Sequence, residues 1–303
     1  MTDGDTRADL TDEPAASSAT TTTAPADAAP ASSLRWWKEM LIAGGFYLVY
    51  TFVRNQFGSG GAGDRDIALN HAKAIIHIER SVGLWFEPRL QQWYLDLPYD
   101  GFIRVWNIYY GSLHFIVTIA VLVLAFRRIP FRYAYYRTML AGATALAIIG
   151  FATFSLMPPR LLDESVSEFG GCYQKVECHE YDFVDTLAVH GGLWEFGSGG
   201  MSKVSNQYAA MPSLHFGWSS WCAITFIACY RQRRWRWWAF AYPATTLFCI
   251  LITANHFWFD AIGGVAVLLG GWAIAELFDR TKRWWRDRRR SADAPTAVAT
   301  ATH

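Results

Sequence analysis

The sequence has almost no net charge, no internal repeat and no glycine-rich phosphate loop. Its 27 basic and 26 acidic residues leave a formal net charge of +1, and the basic residues cluster beside apolar runs, so nucleic-acid binding has little support. No segment repeats at the period of a solenoid. No glycine-rich phosphate loop follows a strand-like run. We therefore expect no nucleic-acid partner and no cofactor.

Hydrophobic residues, in contrast, are abundant, at 52% of the chain with 16% aromatic. They fall in six blocks, each approaching the roughly 20 apolar residues needed to cross a bilayer core. We predict an all-α polytopic membrane protein, a bundle of six transmembrane helices. The first block is the weakest, because an interfacial helix would explain its short apolar part equally well. The predicted spans are 36–54, 104–126, 137–157, 213–230, 237–254 and 257–278.

Arginine and lysine predict the orientation, since cytoplasmic loops collect positive charge. Clusters lie between the second and third spans, between the fourth and fifth, and after the sixth in "KRWWRDRRR". Both termini are therefore expected in the cytoplasm, and the 57–102 and 158–212 connectors and the turn at "TANHFWFD" face outward. We expect the plasma membrane, although a lumenal membrane of a eukaryotic cell fits the same charge bias.

The two ends of the chain differ from the centre in composition. Residues 1–33 are rich in Ala, Thr, Ser, Asp and Pro without an aromatic residue, and "SADAPTAVATATH" is similar, which is typical of disorder. The N-terminal part also lacks the pattern of a signal peptide. We expect a disordered cytoplasmic tail over 1–33, a membrane domain over 34–280, and a basic, then disordered, cytoplasmic tail over 281–303.

The five cysteines separate by their position in this topology. Three lie inside predicted spans, where cysteine behaves as a small hydrophobe. Cys172 and Cys178 lie in the outward 158–212 connector, where the compartment permits oxidation, so they are a disulfide candidate. His179 adjoins Cys178, but two thiols and one imidazole at this spacing match no common zinc site. We expect no metal.

The stretch "AAMPSLHFGW" begins the fourth predicted span. Pro212 suits the first turn of a helix, which puts Ser213 and His215 at a helix N-terminus, where free N–H groups and the helix dipole favour an anion such as phosphate. The alternative is that Ser213 simply caps the helix and His215 is an interfacial histidine.

The stretch "NHFWFDAIGG" opens the sixth predicted span. His256 and Asp260 are four residues apart and share one face of a helix, so the carboxylate can hold one imidazole nitrogen and leave the other free as a nucleophile or base. The alternative is a structural His–Asp pair. Ionisable groups inside spans, however, are usually functional.

Topology brings these motifs to one membrane depth. The third span ends at "LMPPRLL", so we expect Arg160 to meet both histidines and to bind phosphate. The second span adds one polar stripe at three- and four-residue steps. On it, Arg104 is a candidate phosphate ligand, and Asn107, Tyr110 and His114 are candidate substrate contacts. The alternative for the stripe is interhelical hydrogen bonding.

"PSLH" followed by "HFWFD" resembles the type 2 phosphatidic acid phosphatase superfamily, and more narrowly its inositol-phosphorylceramide-synthase-like (inositolphosphotransferase-like) branch. The resemblance covers roughly Arg104 to Gly264. It implies a six-helix membrane fold and cleavage of a phospholipid or lipid-phosphate ester through a phosphohistidine without a metal. On this basis His256 is similar to the nucleophile, Asp260 to its supporting carboxylate, His215 to the general acid and Ser213 to a phosphate ligand.

The stretch "IERSVGLWFEPRLQQWYL" also resembles this branch, and its composition is that of an amphipathic segment at the membrane surface. Three departures from the superfamily pattern stand out. Leu214 replaces a motif glycine, Cys249-Ile250 replaces a Ser-Arg pair, and Arg160 stands without the usual lysine of the first motif. The acceptor therefore stays open between water, as in a phosphatase, and an alcohol, as in a phosphotransferase.

Two other functions fit parts of the sequence. A non-catalytic transporter or lipid-binding membrane protein could use the His–Asp pair as a proton relay, but inverted repeats and broken helices are missing. A metal-dependent hydrolase could use His215, His256 and Asp260 as ligands, but the nearby Arg160 would repel a cation.

Overall fold

The computed structural model describes residues 35–56, 62–98, 101–175, 178, 180–192 and 206–292. Within these residues all regular elements are helices, and the β-pairing is limited to an isolated bridge between Leu156 and Ala209. The predicted tail over 1–33 and the last residues of the chain lie outside the described part. The helices are α1 Trp36–Gln56, α2 Ala62–Ser81, α3 Glu87–Leu95, α4 Gly101–Ile108, α5 His114–Arg128, α6 Pro130–Thr153, α7 Thr186–His190, α8 Leu214–Cys229, α9 Ala241–Ile252 and α10 Trp258–Ala292.

Three of the helical segments are long and apolar enough to cross a membrane. They are Phe102–Arg128, which joins α4 to α5, the whole of α6, and Trp258–Ser291 in α10. The length and composition of these segments indicate an integral membrane protein. The second, third and sixth predicted spans overlap them, although the third predicted span runs to residue 157 and α6 ends at Thr153.

The other three predicted spans form helices that do not meet the same criterion. α8 is apolar but shorter, from Leu214 to Cys229. The predicted span 237–254 is divided between a 3₁₀ segment, Arg234–Phe240, and the 12-residue α9, which at about 1.5 Å per residue is shorter than a bilayer core. α1 covers 36–54, but Lys38, Glu39 and Arg54 flank or interrupt its apolar part. Six membrane crossings stay a prediction.

Small residues let α10 lie against its neighbours. A Cβ added at Gly271 would approach within 2.6 Å of the backbone nitrogen of Ala143 on α6, and one added at Gly264 would meet the backbone nitrogen of Gly217 on α8 at 3.2 Å. Such close backbone approach is typical of packed membrane helices. It brings the first turns of α8 and α10 together, and both motifs found in the sequence lie there.

The segments between the long helices pack over the same end of the bundle. A core of buried apolar residues, including Leu156, Met157 and Phe257, joins α2 to the segment between α6 and α8 and to the turn between α9 and α10. Cys172 and Cys178 are joined by a disulfide there, with their Cα atoms 5.4 Å apart. The basic run after the sixth predicted span continues as helix to Ala292.

Candidate active site

His256 lies in the turn between α9 and α10, and Asp260 lies in the first turn of α10. The Nδ1 atom of His256 is 3.1 Å from Oδ2 of Asp260, and the same oxygen accepts a hydrogen bond of 3.0 Å from the backbone nitrogen of Phe257. Both side chains are buried. Because a carboxylate accepts, the proton of the neutral ring belongs on Nδ1, and the lone pair is on Nε2. Nε2 has no hydrogen-bond partner among the described residues.

His215 stands in the first turn of α8 and faces His256, with 5.5 Å between the ring centroids. The Oγ atom of Ser213 caps this helix by accepting from the backbone nitrogen of Phe216 at 3.4 Å. The ring of Tyr110 stacks on His215 at 4.2 Å between centroids, and His114 lies 4.3 Å away. The rings of Tyr110, His114 and His256 therefore surround that of His215.

A π-helical turn, Tyr109–Leu113, connects α4 directly to α5 within one continuous helical segment. Such turns are rare and are frequent at functional sites. Here the turn brings both Tyr110 and His114 to His215, and Nδ1 of His114 donates to the carbonyl of Tyr110 at 3.1 Å. The three- and four-residue spacing of the sequence predicted a shared face, but not the widened turn that forms it.

The same side chains line a cavity of about 170 Å³. Its polar lining includes His114, His215, His256, Tyr110 and Arg160. Its apolar lining includes Phe115, Phe151 and Trp218. His114 begins α5, and Arg127 and Arg128 lie in its last turn, so the cavity and these arginines are at opposite ends of that helix. A cavity with a few convergent polar groups in an apolar wall is the usual form of a ligand site.

Arg160 reaches the cavity from the short helical turn Pro159–Leu161. Its Nη1 donates to Oδ2 of Asp185 at 2.7 Å and its Nη2 donates to Oε1 of Gln207 at 2.8 Å. Its Nε is buried without a partner among the described residues. The two contacts fix the plane of the guanidinium and leave part of its fork of donors for an anion. Nothing in the sequence singled out Asp185 or Gln207, which are 25 and 47 residues from Arg160.

Three residues that the sequence proposed as ligands do not line the cavity. Arg104 is exposed on α4 and is absent from the cavity wall. Asn107 is buried and fully engaged, donating to the carbonyls of Thr186 and Gly191 and accepting from the Thr186 hydroxyl. Its contacts match the structural alternative. Ser213 is the buried cap of α8.

The described residues contain no group of three or more His, Cys, Asp or Glu side chains arranged to hold a metal ion. His179, which adjoins the disulfide, lies outside those residues.

Comparison with known proteins adds one finding. A family model described as the PAP2 superfamily matches residues 73–274 of the 303-residue chain. The matched range includes every residue that lines the cavity. No curated protein and no solved structure matches the chain.

Proposed function

The chain belongs to the PAP2 superfamily, and we propose that it cleaves a lipid or lipid-linked phosphate ester through a phosphohistidine at His256. The observation that carries this proposal is the hydrogen bonding of the two nitrogens of the His256 ring. Asp260 holds Nδ1, while Nε2 is buried at the cavity wall without a partner among the described residues. A positioned, unpartnered nitrogen supported by a carboxylate is the arrangement of an activated nucleophile.

In the first step Nε2 of His256 attacks phosphorus and the bond from phosphorus to the ester oxygen breaks. The leaving oxygen takes a proton from His215, and the product alcohol departs from a phosphohistidine. In the second step an acceptor hydroxyl returns a proton to His215 and attacks phosphorus, which releases Nε2. Acid–base assistance of this kind contributes about 10²- to 10⁴-fold to the rate.

Arg160 binds the phosphoryl oxygens in this proposal. Phosphoryl transfer depends mainly on positioning and on stabilising charge spread over the equatorial oxygens. The anchoring of the guanidinium by Asp185 and Gln207 supports this role, because a fixed fork loses little freedom when it binds an anion. Tyr110 and His114 complete the wall beside His215 and are proposed to contact the substrate.

We propose water and an alcohol as alternative acceptors. The likeness to the inositolphosphotransferase-like branch favours transfer of a phosphoinositol-type headgroup to an alcohol, whereas the superfamily as a whole favours a phosphatase. We also propose that the cavity faces the outer side of the plasma membrane. The basic connectors at the opposite end of the bundle support this orientation.

The test is an assay of the purified protein in detergent and chelator with a panel of labelled phospholipids and lipid phosphates. We expect His256→Ala to reduce turnover to the background, while His77→Ala, a change at an exposed histidine of α2, leaves it intact. Released inorganic phosphate identifies a phosphatase, and a new phosphodiester identifies a transferase. Normal turnover in His256→Ala would refute the proposal.

A further inference from the structure

We infer that Glu79 and Glu87 are positioning residues for the nucleophile. The two carboxyls share one proton and together hold the first backbone N–H groups of α10, so that His256 and Asp260 keep their geometry. The assignment rests on the proposed role of His256. Neither glutamate lines the cavity, so neither is a catalytic residue.

The hydrogen bonds join distant parts of the chain. Oε1 of Glu87 accepts from the backbone nitrogen of Trp258 at 3.1 Å, and Oε1 of Glu79 accepts from that of Phe259 at 3.3 Å. These partners are 171 and 180 residues apart in sequence. The first N–H groups of a helix have no partner within the helix. Here α2 and α3 supply the caps that α10 lacks.

Three successive N–H groups after His256 are thus bound by three different carboxyl groups. Asp260 takes that of Phe257, Glu87 takes that of Trp258, and Glu79 takes that of Phe259. The same Asp260 oxygen holds Nδ1 of His256. A shift of this segment would therefore move the backbone beneath both the nucleophile and its supporting carboxylate. Displacements of about 1 Å are enough to reduce catalysis by roughly 10²-fold.

The two glutamates are fully buried, and two adjacent negative charges in such a place are unfavourable. Burial, and next the neighbouring Glu87 carboxyl, raise the pKa of Glu79 from 4.5 to about 9. Burial also raises the pKa of Glu87. Oε2 of Glu79 has no other donor among the described residues. One shared proton satisfies this oxygen and leaves the pair with a single negative charge at neutral pH.

The charged groups around the pair make loss of that proton unfavourable. Asp260, on α10, adds a repulsive negative charge to both glutamates, and His256 is already engaged with Asp260. Arg80, next to Glu79 in α2, lies over the ring of Trp85. Among the described residues no salt bridge joins a cation to either glutamate. Deprotonation should therefore disturb the segment and lower kcat at alkaline pH.

The experiment measures kcat and KM from about pH 6 to 10.5 for the wild type, Glu79→Gln, Glu79→Ala and Glu164→Gln. Glutamine keeps an acceptor for Phe259 and donates to Glu87 as the protonated acid does. We expect Glu79→Gln to keep kcat within about threefold and to lose the alkaline decline near pH 9. We expect Glu79→Ala to lower kcat at least about tenfold with little change in KM, because it removes positioning rather than binding.

Glu164→Gln is the matched control. Its carboxylate also accepts two backbone N–H groups, at 2.6 and 3.1 Å, but in the segment after α6 rather than at α10. It should leave the pH profile unchanged. A Glu79→Gln enzyme that keeps the alkaline decline, or that is as impaired as Glu79→Ala, would overturn the inference.

If the wild type turns over no substrate, the proposed function fails and the carboxyl pair is tested by unfolding. The folded protein holds the Glu79 proton up to a pKa of about 9, and the unfolded chain releases it near 4.5. The folded state therefore binds more protons in between, and its stability falls as pH rises through this window. A loss of stability with rising pH that is present in the wild type and Glu164→Gln but reduced in Glu79→Gln supports the shared proton. Equal declines in all three overturn it.

Discussion

Asp260→Asn separates the charge of the supporting carboxylate from its shape. The wild-type oxygen accepts from Nδ1 of His256 at 3.1 Å and from the backbone nitrogen of Phe257 at 3.0 Å, in a site with no exposure to solvent. Asparagine can accept through its carbonyl oxygen with nearly the same geometry. The change therefore removes the negative charge that balances positive charge developing on the imidazole as Nε2 bonds to phosphorus.

The size of the effect follows from the hydrogen bond that loses its charge. Hydrogen bonds to charged groups are worth about 1.5–3 kcal/mol, and about 1.4 kcal/mol is a factor of ten in rate. We expect kcat to fall roughly tenfold to 150-fold, with KM nearly unchanged. The loss is larger if the amide rotates, because its NH₂ group would then force the ring proton onto Nε2 and block attack.

The assay is single-turnover release of the alcohol product together with trapping of labelled phosphoenzyme under alkaline quench, where phosphohistidine survives. Asp163→Asn is the control, since that carboxylate also accepts two backbone N–H groups, at 2.9 and 2.8 Å, but away from His256. Equal rates of phosphoenzyme formation in the wild type and Asp260→Asn would refute the argument that Asp260 supports the nucleophile.

Three further outcomes are expected. Arg160→Lys keeps the charge but loses the anchored fork, so KM should rise by about tenfold or more in steady-state assays, and an unchanged KM would remove Arg160 from phosphate binding. Gly271→Ala should lower the melting temperature in detergent, because overpacking costs about 1–3 kcal/mol of stability. Gly44→Ala, at a position with open space, should not lower it, and equal melting temperatures of the two variants would contradict the close packing of α10. Under denaturing, non-reducing conditions three of the five cysteines should react with a thiol reagent, and all five only after reduction of Cys172–Cys178; five at once would exclude the disulfide.

The hydrophobic blocks predicted an all-helical membrane protein because crossing a bilayer needs long apolar helices, and the described chain is helical. The same blocks could not give the boundaries of α9. "RWRWWAF" is rich in aromatic residues and counts as apolar in a sliding window, but it forms a 3₁₀ segment before Ala241. Composition indicates how hydrophobic a segment is. It does not indicate where the backbone changes from a 3₁₀ to an α-helical conformation, because that depends on packing.

The site shows the same division between local and distant information. The spacing of His256 and Asp260 and the position of His215 after Pro212 are local features, so the sequence alone indicates them. The partners of Arg160 are not local, and neither is the choice between Arg104 and the residues after the π turn. Arg104 lies before the π turn and is exposed, whereas Tyr110 lies in the turn, His114 follows it, and both line the cavity.

The stretch from Ile78 to Leu95 shows why an amphipathic pattern has two structural meanings. Apolar side chains of this stretch, among them Leu84 and Trp93, are exposed, whereas both of its glutamates and Gln91 are fully buried. Gln91 binds both the N–H and carbonyl of Val184 and reaches the carbonyl of Ile252 at the end of α9. If the segment lies at the membrane surface, as the pattern predicts, these exposed apolar side chains would contact lipid. The buried polar side chains bind backbone groups beside the turn that carries His256 instead of water, and a sequence pattern cannot distinguish these two polar environments.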